Sequence, residues 1–167
     1  MAKNHEEGVL LILTGLPASG KTTVAKRLGE RIEDLAIISS DDLRRQGKPS
    51  ELWDRMRAVA REELERGRTV VADATNYTQA HRKRFISAAE DLGCRYLLVY
   101  FEAGVKTLLE RNLLREEKIP SAAIRRLAKL FEEPEIESTI VIDTEELDPE
   151  EAAQVLEDRI RSMRNER

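Results

Sequence analysis

Eight residues near the start of the chain limit its fold more than any others. Gly15-Leu16-Pro17-Ala18-Ser19-Gly20-Lys21-Thr22 has the spacing G-x-x-x-x-G-K-[ST]. A continuous apolar run, Val9-Leu10-Leu11-Ile12-Leu13, precedes it and reads as a strand buried on both faces. A helical pattern follows from Lys21 to Arg31, with Val24, Ala25, Leu28 and Ile32 on one face. Strand, glycine loop and helix in that order make a cradle for phosphate. Gly15 and Gly20 let the backbone bend and approach closely, successive N–H groups converge on an anion, and the helix N-terminus adds partial positive charge. Lys21 then reaches the β- and γ-phosphates of a nucleotide, the Thr22 hydroxyl ligates Mg²⁺, and Thr23 closes the stretch. The loop implies ATP or GTP with Mg²⁺ and leaves open what happens to the γ-phosphate. A chance glycine-rich turn would not also have the strand before it and the helix after it.

The rest of the chain repeats the alternation. Ala36-Ile37-Ile38-Ser39 is a second strand, and residues 52–66 are helical, closed by Gly67. Thr69-Val70-Val71-Ala72-Asp73 is a third strand, followed by a helix from Thr78 or Gln79 to Leu92 that stops at Gly93. Residues 95–101 form a fourth strand, with helices at about 105–115 and 120–131 after it. Thr139-Ile140-Val141-Ile142-Asp143 is a fifth, and a last amphipathic helix starts near Pro149. Alternating βα units give a parallel sheet with helices on both faces. The expectation is an α/β, five-stranded, P-loop NTPase (nucleoside-kinase-like) fold with a helical lid at about 111–120, in one domain over residues 1–167. Trp53, Phe85, Tyr96 and Phe101 are expected in the core, with Cys94 as a small buried filler.

Ligands in such sheets sit at the carboxyl ends of the strands, so the polar residues there carry the chemistry. After the second strand comes Ser39-Ser40-Asp41-Asp42-Leu43-Arg44. Asp41 and Arg44 are three apart and share a face of a helical turn. A carboxylate facing the γ-phosphate can orient a hydroxyl and take its proton, and an arginine beside it can hold an anionic acceptor. The competing reading is a helix start, with Ser40 or Asp41 as the cap and the arginines in solvent. Asp73 ends the third strand where an acid holds Mg²⁺ or its water. Thr75 and Asn76, next along, are candidates for acceptor or γ-phosphate contacts, or for an Asx turn into the next helix. His81-Arg82-Lys83-Arg84 is a basic cluster, read as a solvated face or as one wall of an anion site.

Residues 110–120 run Glu-Arg-Asn-Leu-Leu-Arg-Glu-Glu-Lys-Ile-Pro. Arg111 and Arg115, four apart, face the same way on a helix. Phosphoryl transfer needs water excluded, and a hinged segment carrying arginines does that while neutralising charge. An ordinary ion-paired helix is the alternative.

Together these elements resemble the P-loop kinases of the polynucleotide-kinase-like group. The shared features are the glycine loop, the Asp41-x-x-Arg44 spacing, Thr75-Asn76 after the third strand, and the arginines Arg111 and Arg115. The stretches Ala74-Thr75-Asn76-Tyr77, His81-Arg82-Lys83-Arg84, Arg111-Asn112-x-x-Arg115-x-x-Lys118-Ile119-Pro120 and Phe131-Glu132-Glu133-Pro134 resemble the kinase domain of the O-phosphoseryl-tRNA(Sec) kinase family more closely. That family tends to show Asp-Asp-Thr-Asn where this chain has Asp73-Ala74-Thr75-Asn76. It also carries a C-terminal tRNA-gripping domain, for which one helix after the fifth strand is expected to leave no room. The resemblance implies transfer of the ATP γ-phosphate to a hydroxyl. Asp41 would be the base, Lys21 and Mg²⁺ on Thr22 would stabilise the phosphates, and Arg44, Arg111 and Arg115 would clamp acceptor and transition state.

Composition narrows the partners. Lys+Arg is 28 against 32 Asp+Glu, a net charge of −4, which argues against a broadly basic nucleic-acid coat and leaves room for a local one. One cysteine excludes a disulfide framework or a cysteine-rich zinc site, and His5 and His81 stand far apart for metal ligands. No apolar run approaches the ~20 residues of a membrane span, and the opening residues 1–7 lack a secretory apolar core. The expectation is a cytoplasmic ATP-dependent kinase of an RNA-linked hydroxyl, seryl-tRNA or the 5′-OH of an RNA or DNA. A small-molecule kinase and a tRNA-binding P-loop ATPase accessory factor are the alternatives.

Overall fold

A computed structural model describes residues 8–166; His5, the opening segment 1–7 and Arg167 lie outside them. Five strands form a single sheet: β1 (Val9–Thr14), β2 (Leu35–Ser39), β3 (Thr69–Asp73), β4 (Arg95–Glu102) and β5 (Thr139–Asp143). They lie side by side as β2-β3-β1-β4-β5, and every pairing is parallel. Among the described residues seven α-helices connect and flank them: α1 (Lys21–Arg31), α2 (Ser40–Arg44), α3 (Leu52–Glu65), α4 (Gln79–Asp91), α5 (Val105–Leu113), α6 (Ser121–Leu130) and α7 (Pro149–Asn165). This is the α/β P-loop NTPase fold expected from the alternation of apolar runs and helical stripes.

The central strand shows why β1 has no polar alternation. Leu11 and Leu13 pack with Val24 and Leu28 of α1 and with Ala152, Leu156 and Ile160 of α7. Leu10 and Ile12 point the other way, among Met56, Ala60 and Leu64 of α3 and Phe85 and Ala89 of α4. Both faces are buried, so both residue parities must be apolar. Each such leucine or isoleucine contributes about 1.5–3 kcal/mol on burial. Arg31 ties α1 to α7 by donating to Glu150 and Glu157, each at 3.0 Å.

Register fixes where the chemistry sits. Leu13 pairs with Asp73, and Asp73 pairs with Ser39. β3 and β2 therefore end level with Leu13, one residue before the end of β1, and the glycine loop, Asp73 and α2 all leave the sheet at this edge. Two core expectations need correction. Tyr96 is 39% exposed because β5 pairs with β4 only from Leu98 onward, which leaves the amino end of β4 at the sheet edge. Trp53 is only half-buried, since the buried stripe of α3 is Leu52, Met56, Ala60 and Leu64, one residue off its phase. Phe85, Phe101 and Cys94 are buried as expected.

Candidate functional site

A cleft of about 870 Å³ opens at the carboxyl ends of the strands. The glycine loop forms its floor. At Gly15 a Cβ would stand 2.8 Å from the Phe101 carbonyl oxygen and 2.9 Å from Ser19 Oγ, so the loop passes too close to β4 for any side chain. Gly20 takes φ 98° just before α1, a conformation that glycine adopts without strain. Lys21 Nζ donates to the carbonyls of Gly15 (2.8 Å) and Leu16 (2.9 Å) and to Ser19 Oγ (3.3 Å), folded back over its own loop. Burial pushes its pKa down to about 8, opposed by the nearby Asp73 carboxylate. Pro17, Ala18, Gly20, Lys21, Thr22 and Thr23 border the cleft, whereas the Leu16 side chain borders a smaller depression beside β4.

Thr22 and Asp73 meet above the end of β3. Thr22 Oγ1 donates to Asp73 Oδ2 at 2.8 Å. Asp73 is buried, which raises its pKa, while the Thr22 hydroxyl and Lys21 pull it down. A hydroxyl and a carboxylate side by side are the hard oxygen donors that suit Mg²⁺, which takes its other ligands from phosphate and water. The chemistry of this pair fits the ion.

On the opposite wall, α2 carries Asp41 and Arg44. The cap of α2 is Ser39, whose Oγ accepts from the Asp42 amide at 3.4 Å. Capping by Ser40 or Asp41 is thereby corrected: the cap falls on the last residue of β2, and the Asp41 carboxylate is left over. It meets Arg44 at 3.7 Å, with the two side chains 64% and 57% exposed, and both border the cleft.

Thr75 borders the cleft, but Asn76 does not. Asn76 is fully buried with φ 46°, and its Nδ2 donates to the Leu13 carbonyl at 2.7 Å. The left-handed turn swings the amide beneath the sheet end, so the acceptor contact expected of Asn76 is replaced by a brace on β1. Thr14 Oγ1 (2.9 Å) and Arg82 (2.9 Å) both donate to the Asn76 carbonyl. Arg82 also donates to the Glu132 carbonyl at 2.7 Å and is buried. This arginine of the basic cluster is a strut between the β3–α4 loop and the segment after α6, not a wall of the cleft.

The arginine-rich segment also differs from expectation. α5 ends at Leu113, and residues 114–120 run as a loop to α6. Arg111 and Arg115 therefore do not share a helical face. Arg111 donates to Thr144 Oγ1 and to the Thr144 carbonyl, each at 2.8 Å, and more weakly to the Ala18 carbonyl at 3.4 Å. It bridges the glycine loop and the β5–α7 loop and borders the cleft from α5, while Arg115 borders it from the loop that follows. Asn112 shapes that loop, donating to the Ile119 carbonyl (2.6 Å) and accepting from its amide (3.0 Å).

Sequence reasoning overlooked the wall made by Thr144, Leu147, Asp148 and Pro149 after β5, and the rings of Trp53 and Tyr77. The rule that directs attention to residues after β2 and β3 applies equally after β5. No short motif marks the spot.

Comparison with known proteins assigns the chain to a family. A family model described as AAA domain (AAA_33) matches residues 10–134. The chain belongs to this family. The AAA_33 match covers β1 through α6, which includes the glycine loop, Asp41, Asp73 and Arg111. L-seryl-tRNA(Sec) kinase of Methanococcus maripaludis is 31% identical over 138 residues, covering 75% of this chain and 53% of that protein. The chain thus spans about half the length of this curated relative. The Mycobacterium tuberculosis APS kinase CysC, in complex with AMPPNP and APS, superposes with a TM-score of 0.74 at 19% identity, over 92% of this chain and 98% of that one. Chaetomium thermophilum Kti12, in complex with ADP-AlF3, gives 0.71 at 22% identity, over 92% and 97%. At such identities the likeness is one of fold, and that fold is shared by P-loop kinases.

Proposed function

We propose that this AAA_33 chain is an ATP-dependent kinase that transfers the γ-phosphate to an RNA-linked hydroxyl, the seryl group of an aminoacylated tRNA or a 5′-OH end. The observation that carries it is the exposed Asp41–Arg44 pair facing the glycine loop across one cleft. A carboxylate without a capping duty, opposite a phosphate cradle, suits a general base. The 31% identity to a seryl-tRNA(Sec) kinase supports the choice of acceptor.

In this reading the glycine loop amides and Lys21 hold the β- and γ-phosphates, for which Lys21 leaves its loop carbonyls. Asp41 accepts the proton of the acceptor hydroxyl as its oxygen bonds to the γ-phosphorus and the bond to the β–γ bridging oxygen breaks, releasing ADP. Arg44 and Arg115 neutralise charge on the acceptor and the transferred group. Thr22 and Asp73 would hold Mg²⁺, which supplies neutralisation of the phosphate charge. Arg111 keeps the glycine loop and the β5–α7 loop together on the nucleotide side.

The test follows γ-labelled ATP with purified protein and a panel of acceptors: seryl-tRNA, deacylated tRNA, 5′-hydroxyl oligonucleotides and a pool of small metabolites. Label on the seryl group or on a 5′ end is the expected result. Label on a metabolite alone assigns a small-molecule kinase, and free phosphate without labelled acceptor assigns an ATPase accessory factor; either outcome overturns the proposal.

A further inference from the structure

The acceptor wall contains two half-buried rings for which phosphate chemistry has no use. Trp53 lies one residue off the buried stripe of α3; it packs in part against the core that holds Met56 and Phe85, and the rest of it is left at the cleft. Tyr77 lies in the loop after β3. Both border the cleft that also holds Asp41 and Arg44. The chain has one tryptophan and three tyrosines, and two of these four rings stand at this wall.

His81 holds the two rings together. Its imidazole stacks on the Trp53 indole, with centroids 4.6 Å apart and planes 20° apart. Tyr77 meets the same imidazole edge-on, at 5.0 Å and 79°. His81 does not border the cleft itself, so it backs the wall from behind. The backing is anchored: the His81 amide donates to the Thr78 hydroxyl that caps α4, and the Tyr77 carbonyl accepts from the Glu132 amide at 2.8 Å. Burial and the neighbouring Arg84 and Arg82 lower the His81 pKa, which keeps the imidazole neutral and its stacking uncharged near pH 7.

We infer that Trp53 and Tyr77 form a stacking subsite for a nucleobase of the acceptor, next to the hydroxyl that Asp41 would deprotonate. Pre-fixed aromatic rings in a cleft that also carries guanidinium groups, here Arg44 and Arg115, are how proteins hold a single-stranded base and its phosphate. A sugar acid or an aliphatic amino acid offers no flat π-face to such a wall. The inference rests on the reading of the cleft as a kinase site with a nucleic-acid acceptor, and it names what that site would recognise.

Because Trp53 is the sole tryptophan, its emission reports on the wall directly. With Mg²⁺ and AMPPNP saturating the nucleotide half, the wild-type protein is titrated with a single-stranded RNA tetranucleotide and with an abasic chain of equal length. The expected result is saturable quenching by the RNA and at least roughly tenfold weaker binding of the abasic chain, the effect of losing one base–aromatic stack. Equal binding of both chains, or no change of emission at all, overturns the inference. In kinetics, Trp53→Leu and Tyr77→Leu should raise KM for an RNA acceptor roughly tenfold while kcat at saturation and KM for ATP hold, with Trp53→Phe recovering part of the loss. Quenching without phosphotransfer to any acceptor refutes the kinase reading and keeps the subsite. Transfer to RNA with an unchanged KM in Trp53→Leu does the reverse.

Discussion

The two halves of the cleft are built differently. On the nucleotide side every functional group is buried or bonded: Lys21 to three loop acceptors, Thr22 to Asp73, and Arg111 to Thr144. On the acceptor side Asp41 and Arg44 face solvent, with a 3.7 Å ion pair between them. An exposed pair of this kind contributes at most about 1 kcal/mol. The nucleotide half is thus organised by the fold itself; on the proposed acceptor side the Trp53, His81 and Tyr77 rings are fixed in the same way, whereas the Asp41–Arg44 pair is free to adjust to what binds there. Substitutions on the first side should disturb nucleotide binding, phosphate activation or the fold, whereas those of the Asp41–Arg44 pair should disturb transfer and leave nucleotide binding and the fold alone.

The sharpest way to break this contrast is at the phosphate floor. Lys21→Met should lower turnover by about 10²–10³, the usual loss for one charge-stabilising donor, while the melting temperature holds, because burial already disfavours the lysine's charge. Steady-state kinetics beside thermal melts decides it; a large fall in melting temperature would make Lys21 a structural residue. Gly15→Ala should behave oppositely. Its Cβ would lie 2.8 Å from the Phe101 carbonyl oxygen, so about 1–3 kcal/mol of stability should be lost on denaturant unfolding, together with nucleotide binding.

The two arginines sharpen the comparison further. Arg111→Ala should raise KM for ATP roughly tenfold, because the bridge between the glycine loop and the β5–α7 loop is lost, with kcat little changed. Arg115→Ala should lower kcat instead. Equal effects on both parameters in both variants would return Arg111 to the acceptor clamp.

The smallest effect concerns the acceptor wall. Burial lowers the pKa of His81 in the folded chain below its ordinary value of 6.5. The unfolded chain therefore binds more protons below that value, and stability is lost as pH falls through 6.5 toward the lowered folded-state pKa. His81→Phe should show a shallower loss between pH 7 and 5 in denaturant titrations. Identical slopes for the two proteins would mean that the imidazole titrates as in the unfolded chain.

How much of this was legible in the sequence follows from the same division. The glycine loop, the apolar β1 and the acid at the end of β3 are local patterns, and local spacing defines them. Asp41 and Arg44 were legible because three residues on one helix are also local. Asn76 was misplaced because its direction depends on a left-handed turn that the one-letter pattern does not encode. The pairing of Arg111 with Arg115 failed because α5 stops at Leu113, where Asn112 finds the Ile119 backbone across a seven-residue loop closure. The Thr144–Pro149 wall was invisible for a related reason: it reaches the cleft through sheet topology and carries no motif of its own. Trp53 was read as core by its chemistry, and only the phase of α3 shows that it lies outside the stripe.

The most direct test of the division is Asp41→Asn, measured twice on the same preparation. AMPPNP binding by calorimetry should match wild type, while transfer of the γ-phosphate to the acceptor that the wild-type protein labels should fall by about 10²–10⁴, the usual contribution of a general base. Transfer within a few-fold of wild type, or a parallel loss of AMPPNP affinity, would contradict the account.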